Sequence, residues 1–312
     1  MNMVVSKDNG AEWARSPERS NMLMLRIMTW ISLRLGRPVG RIVLHLIAGY
    51  FLLFAPASRA GSIAYLSRIL KRRVRWTDIY KHFFWFASTI HDRVYLLNQR
   101  FDLFDIQVHG EQLMEELLAA GQGVFLIGAH MGSFEATRAL GRHHAGLKVA
   151  MAMYEENARK INSMLAAINP AAQQDVIGLG RIDSMLKIKE QLDQGTLVGM
   201  LADRSLGDDS LHTVRFLGED AHLPVGPFRM AAIMRRPVVF MVGLYLGENR
   251  YEIHFEKLAD FSDSAAGQRQ AEIERAMARY AQLLEHYCHR APFNWFNFFD
   301  FWRSAAAAEK KE

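Results

Sequence analysis

The stretch Gly123-Val-Phe-Leu-Ile-Gly-Ala-His130-Met-Gly-Ser-Phe-Glu135-Ala-Thr-Arg138 decides the reading of the fold. Its first six residues form an unbroken apolar run, the pattern of a strand buried on both faces, which is typical of parallel sheets. The run delivers His130 to the strand's C-terminal tip. Gly132 permits a tight turn, Ser133 is placed to cap a helix, and Glu135 falls in that helix's first turn.

The same alternation extends along the chain. Short apolar runs at 104–108, 123–128, 147–151, 175–177 and 196–201 alternate with helical stretches from Glu111, from about Ser133, and at 157–167 and 182–194. Strands alternating with helices of this length predict an α/β fold, with a mainly parallel sheet flanked by helices. A hairpin is expected over 237–246 and 251–257, then an alanine-rich helix over 265–289. Residues 78–97 carry Phe83, Phe84, Trp85 and Phe86 without Pro or Gly, and read as a helix. No internal repeat is visible, and no linker divides the chain.

Half of the 312 residues are hydrophobic and 23% are charged, which excludes disordered, collagen-like and disulfide-scaffold classes. The lone cysteine, Cys288, cannot form an internal disulfide, and no signal-peptide pattern is present, so a cytoplasmic redox environment fits. The net charge of +5 is lopsided: residues 1–76 hold 13 Lys and Arg against three acids, whereas 77–312 hold 25 against 30. Residues 21–57, NMLMLRIMTWISLRLGRPVGRIVLHLIAGYFLLFAPA, set arginines 26, 34, 37 and 41 among large apolar side chains. The most apolar part, 42–55, covers 14 residues, short of the ~20 that a spanning helix needs. It predicts an interfacial helix or a marginal anchor, with Lys71, Arg72, Arg73 and Arg75 beside anionic headgroups on the cytoplasmic side of the inner membrane. The competing reading is a buried helix pair with a basic rim. The organisation expected is a helical membrane-associating segment over 1–76 and an α/β domain over 77–312. The aliphatic setting of the basic residues suits lipid rather than nucleic acid.

Candidate chemistry centres on His130 and Glu135. Five residues apart, they would lie ~140° apart on one continuous helix, so only the intervening turn allows them to meet. A carboxylate accepting from one imidazole nitrogen fixes the tautomer, leaving the other nitrogen to take a proton from a bound hydroxyl or amine. The plainer alternative is a capping Glu beside a histidine satisfied by backbone.

The wording GAHMGSFEATRAL resembles the His-x4-Asp/Glu signature of the lysophospholipid acyltransferase superfamily, most closely its bacterial lipid A branch. Blocks in matching order are Gly195-Thr-Leu-Val-Gly-Met-Leu-Ala-Asp203-Arg204, Phe216-Leu-Gly218, Leu223-Pro-Val-Gly226-Pro-Phe and Arg236-Pro-Val-Val-Phe240. The resemblance implies a glycerolipid-acyltransferase-like α/β fold and acyl transfer from an acyl carrier protein or acyl-CoA thioester to a membrane lipid hydroxyl. His130 would act as general base and Glu135 would orient it, with no covalent acyl-enzyme, metal or cofactor. Arg181, Asp203, Arg204 and Gly226 match its substrate-binding blocks.

Two departures bear on the substrate. Asp203 is followed by Arg204 where the lipid A enzymes have Gln or His. The ending 291–302 holds seven aromatics between Phe293 and Trp302 and, with 13–20, looks more like a subgroup found with aryl polyene pathways. Those aromatics could line an acyl tunnel, rest at the membrane interface or pack in the core. The segment from Gly178 to Asp183 has Asp where a dinucleotide fingerprint needs its third Gly, and neither a Walker A nor a Gly-x-Ser-x-Gly elbow is present. The other function class to weigh is a catalytically silent, membrane-attached lipid or carrier-protein binding module.

Overall fold

The computed structural model describes residues 22–138, 148–169, 175–180, 182–205, 210–265 and 267–302. Three helices come first: α1 (Met22–Phe54), α2 (Pro56–Leu70) and α3 (Trp76–Leu97). Strands β1 (Asp105–His109), β2 (Val124–Gly128), β3 (Val149–Tyr154), β4 (Asp175–Leu179) and β5 (Leu197–Leu201) follow, interleaved with α4 (Glu111–Ala119), α5 (Phe134–Arg138), α6 (Glu155–Ile168) and α7 (Ile182–Asp193). A hairpin, β6 (Leu211–Phe216) and β7 (Glu219–Pro224), leads into α8 (Gly226–Met234), then β8 (Pro237–Gly247), β9 (Arg250–Asp260) and α9 (Arg269–Arg290).

Seven strands form one sheet in the order β1-β9-β8-β2-β5-β3-β4, parallel throughout except for the antiparallel β8–β9 pair. The α/β architecture is therefore the expected one. β2 shows why an unbroken apolar run is needed at its centre. Phe125 and Ile127 join the core that includes α7, α8 and α9, while Val124 and Leu126 join the opposite core with Met114 of α4. Both faces are covered.

The hairpin β6–β7 was not expected, because Leu217-Gly218 lacks the usual Asn-Gly or Asp-Gly signal. Both turn residues have positive φ, 50° and 84°, and the Leu217 N–H is held at 2.7 Å by Glu285 of α9. A tertiary bond thus supports a turn that local sequence does not announce.

The helical layer is fixed to the sheet by buried polar groups. Arg37 of α1 donates from Nε and Nη2 to the two Asp92 oxygens at 2.7 and 2.9 Å, and Tyr251 Oη donates to the same carboxylate at 2.8 Å. Arg41 reaches Tyr245 Oη at 3.0 Å. α1 bends at Gly36, whose φ of 83° departs from the helix just before Pro38. Its stretch Ile27–Phe54 is long and apolar enough to cross a membrane, and only 17% of its most apolar window is buried. Outward-facing Trp30, Ile42, Leu46, Leu53 and Phe54 are all at least 59% exposed, whereas Leu44 and Ala48 are buried on the inner side.

Removing one partner of the Arg37–Asp92 pair strands a charge in the interior. Asp92→Ala is expected to cost about 3–5 kcal/mol, read by chemical denaturation of the two proteins at neutral pH.

Candidate active site

His130 and Asp203 each lie two residues beyond the end of a strand, and those strands are parallel neighbours. Gly128 of β2 pairs with Leu201 of β5, and Ala129-His130 and Ala202-Asp203 continue outward side by side. The Ala202 N–H bonds to Gly128 O at 3.1 Å, carrying the register past the strand ends. This is the carboxyl edge of an α/β sheet, where ligand sites form.

The two side chains meet. His130 Nδ1 lies 2.9 Å from Asp203 Oδ1, and the His130 backbone N–H donates to Oδ2 at 3.1 Å. Because the ionised carboxylate only accepts, Nδ1 carries the proton and Nε2 keeps its lone pair. Asp203 is fully buried, while the His130 side chain is 39% exposed. Burial opposes ionisation of Asp203, but His130, Arg204 and the Trp295 indole outweigh it and hold the carboxyl well below its ordinary range. Desolvation, then the Arg204 charge, lowers the His130 pKa against the opposing pull of Asp203. The imidazole is therefore neutral at pH 7, as a proton acceptor must be.

The expected partnership of His130 with Glu135 is not the one formed. Glu135, only 8% exposed at its side chain, sits 2.9 Å from Arg93 Nε of α3, so its carboxylate ties α5 to the helical layer. The expected turn is present: Gly132 has φ 62°, a Cβ there would come within 1.9 Å of Gly243 O, and Ser133 Oγ accepts the Ala136 N–H at 3.3 Å. Chain order placed Glu135 close to His130, but the turn sends it toward α3. Asp203 stood in a substrate-binding block by resemblance, and its pairing is legible in hindsight from the shared apolar-run-then-Ala pattern before each residue.

The other expected residues differ in fate. The Arg204 side chain is 15% exposed; its Nη2 donates to Phe296 O at 2.6 Å and its guanidinium lies 5.2 Å from the Phe299 ring centroid. Gly226 opens α8 at the surface, where a Cβ would meet open space. Arg181 lies outside the described residues.

The aromatic ending packs largely in the core. Trp295, Phe301 and Trp302 are buried, and this strap also closes the back of the site. Phe296 N–H bonds to His130 O at 2.9 Å, Gly132 N–H to Asn294 O at 2.9 Å, and Trp295 Nε1–H to Asp203 Oδ2 at 3.0 Å. Behind it, fully buried His82 of α3 bonds through Nε2 to Trp295 O and through Nδ1 to Ser62 Oγ, both at 2.9 Å. Sequence reading missed both Trp295 and His82. Among the described residues, His109, Glu252 and His254 have donor spacing suited to a metal, but Glu252 Oε2 already accepts from Arg290 at 2.6 Å and lies 3.0 Å from His254 Nε2.

The model of the bacterial lipid A biosynthesis acyltransferase family matches residues 75–304, which include His82, His130, Glu135, Asp203, Arg204 and Trp295. The chain belongs to that family. A search of curated proteins finds no match. Membership implies a transferase that moves an acyl group from an acyl donor to a lipid acceptor. The aryl polyene subgroup is not supported by this match.

Burial lowers the His82 pKa from 6.5 to about 4, so the folded state prefers its neutral form. Between those values the unfolded chain binds more protons, and folding stability falls as pH drops from about 6.5 to about 4. His82 alone contributes about 3 kcal/mol to that loss. Denaturation curves at pH 7 and pH 4 are expected to show a smaller difference for His82→Gln than for the unchanged protein.

Proposed function

We propose that the protein transfers an acyl chain from a thioester, of acyl carrier protein or coenzyme A, to a hydroxyl of a membrane lipid, with His130 as general base and Asp203 as its charge partner. The observation that carries this reading is the 2.9 Å contact between His130 Nδ1 and the buried Asp203 carboxylate, with Nε2 on the opposite edge of a partly exposed ring. In the reaction, the acceptor O–H gives its proton to Nε2 as its oxygen attacks the thioester carbonyl. Asp203 stabilises the imidazolium that forms. Collapse of the tetrahedral intermediate breaks the C–S bond, and the departing thiolate takes the proton from Nε2. No acyl group is attached to the protein, and the histidine is regenerated neutral.

General-base catalysis is worth roughly 10²–10⁴ in rate. In a transfer assay with purified protein, His130→Ala and Asp203→Asn should each lose activity on that scale, while Glu135→Gln, whose ion pair is with Arg93, should keep activity within about tenfold. Full activity in Asp203→Asn, or loss in Glu135→Gln equal to that in His130→Ala, contradicts the assignment. Folded protein that binds acyl donor or lipid but does not turn over supports the binding-module reading.

The lipid acceptor requires a bilayer contact, and α1 supplies a suitable face. Its inner side is fixed to the domain by Arg37–Asp92 and Arg41–Tyr245, so the helix lies along the protein rather than standing away from it. A helix held in this way suits an in-plane position at the cytoplasmic face of the inner membrane, with Trp30, Ile42, Leu46 and Leu53 in the acyl boundary. Exposed Arg34, Lys71, Arg73 and Arg75 lie at the level of anionic headgroups. The double substitution Ile42→Asp and Leu46→Asp should abolish sedimentation with vesicles containing anionic lipid while leaving the fold, read by circular dichroism, intact. Unchanged sedimentation contradicts the in-plane placement.

A further inference from the structure

We propose that Trp295 is a positioning residue for the His130–Asp203 pair: its indole N–H locks the rotation of the Asp203 carboxylate, and His82 holds the tryptophan in place. This deepens the acyl-transfer reading and rests on it for its catalytic consequence, though not for its primary readout.

A carboxylate on a two-carbon side chain turns freely unless both oxygens are held. Here Oδ2 accepts from the Trp295 indole at 3.0 Å and from the His130 backbone N–H at 3.1 Å, which leaves Oδ1 aimed at His130 Nδ1. Three donors on a fully buried group fix one orientation. The indole is itself immobile. Its ring is wholly buried, with Tyr65, Phe216 and Phe301 standing edge-on at centroid distances of 5.0, 5.2 and 5.1 Å.

His82 completes the chain from the other side. The Trp295 carbonyl only accepts, so His82 Nε2 carries the proton there, and Nδ1 accepts from the Ser62 hydroxyl. The His82 ring is wholly buried and packs 4.6 Å from the Phe298 centroid. Ser62 and His82 belong to α2 and α3, the layer that faces the proposed membrane surface. One hydrogen-bonded series thus runs from that layer through the strap to the imidazole.

The tryptophan is distinguishable from an ordinary core residue. Among the described residues, it donates the one side-chain N–H that reaches Asp203 from outside the pair and its neighbour Arg204. The titratable and charged groups around the pair, among the described residues, include Arg204 beyond β5, Tyr280 and Cys288 of α9, the Tyr280 hydroxyl donating to Gly128 O at 2.9 Å, and His82 of α3. Trp295→Phe removes the N–H and leaves all of these in place. Without that donor the carboxylate is free to turn, so Oδ1 holds Nδ1–H less firmly and the imidazolium loses part of its stabilisation.

The test is a histidine NMR titration of the full chain, with the His130 signal assigned from its loss in His130→Ala. Trp295→Phe should lower the His130 pKa. Phe301→Leu, which loosens the same packing without touching the N–H, should lower thermal stability and leave the His130 pKa unchanged. His82→Leu should move His130 in the same direction as Trp295→Phe, and His82→Gln, which retains an N–H donor, should restore it. In the transfer assay, Trp295→Phe should lower kcat about tenfold with KM for the acceptor unchanged, and should move the acid limb of the pH profile downward. A His130 pKa that is unchanged or raised in Trp295→Phe, or lowered equally by Phe301→Leu, overturns the proposal. A lowered pKa in a protein that shows no transfer with any donor upholds the positioning role and counts against the acyl-transfer reading instead.

Discussion

A fully buried carboxylate is the constraint around which the site is arranged. An ionised Asp203 in the interior is costly unless donors surround it, and the fold supplies three of them from two distant parts of the chain. The His130 ring and backbone come from the tip of β2, and the indole of Trp295 comes from the strap after α9. The same arrangement that makes the carboxylate tolerable also makes it useful. It stays ionised at neutral pH, fixes the tautomer of the histidine and leaves Nε2 on the partly exposed side. Removing any one donor changes both the stability of the buried charge and the basicity of the imidazole.

The strap links this site to the helical layer. Its backbone bonds to His130 and Gly132, its indole bonds to Asp203, and its carbonyl accepts from His82 of α3. α3 also carries Asp92, which holds Arg37 of α1, and Arg93, which holds Glu135 of α5. Consecutive residues on one helix therefore tie the outer helix and the helix after the active-site turn to a common support. The exposed apolar face of α1 is turned away from that support, on the opposite side of the helix from its buried Leu44 and Ala48. On the acyl-transfer reading proposed above, the acceptor lipid and the acyl donor would meet over a histidine held in place by these contacts.

Much of the fold was legible because its signals are local. An apolar run flanked by Gly, as at 123–128, names a central strand without reference to anything else. The turn at Gly132 and the cap at Ser133 follow from the same few residues. The pairing of His130 was not legible in this way. Spacing along the chain pointed to Glu135, whereas the true partner lies 73 residues away and is brought close by the parallel register of β2 and β5. Trp295 was visible as one of many aromatics, but nothing local distinguished the indole that reaches Asp203 from those that only pack. The β6–β7 hairpin escaped for the same reason, since its turn is secured by Glu285 of a later helix.

The most direct test of the central claim is lipid mass spectrometry of cells that lack the protein, complemented with the wild type or with Asp203→Asn expressed at equal level. The account predicts that one lipid species loses a single acyl chain and that only the wild type restores it, which would also name the acceptor and the chain. A lipid profile that does not change, or one restored equally by Asp203→Asn, would contradict it.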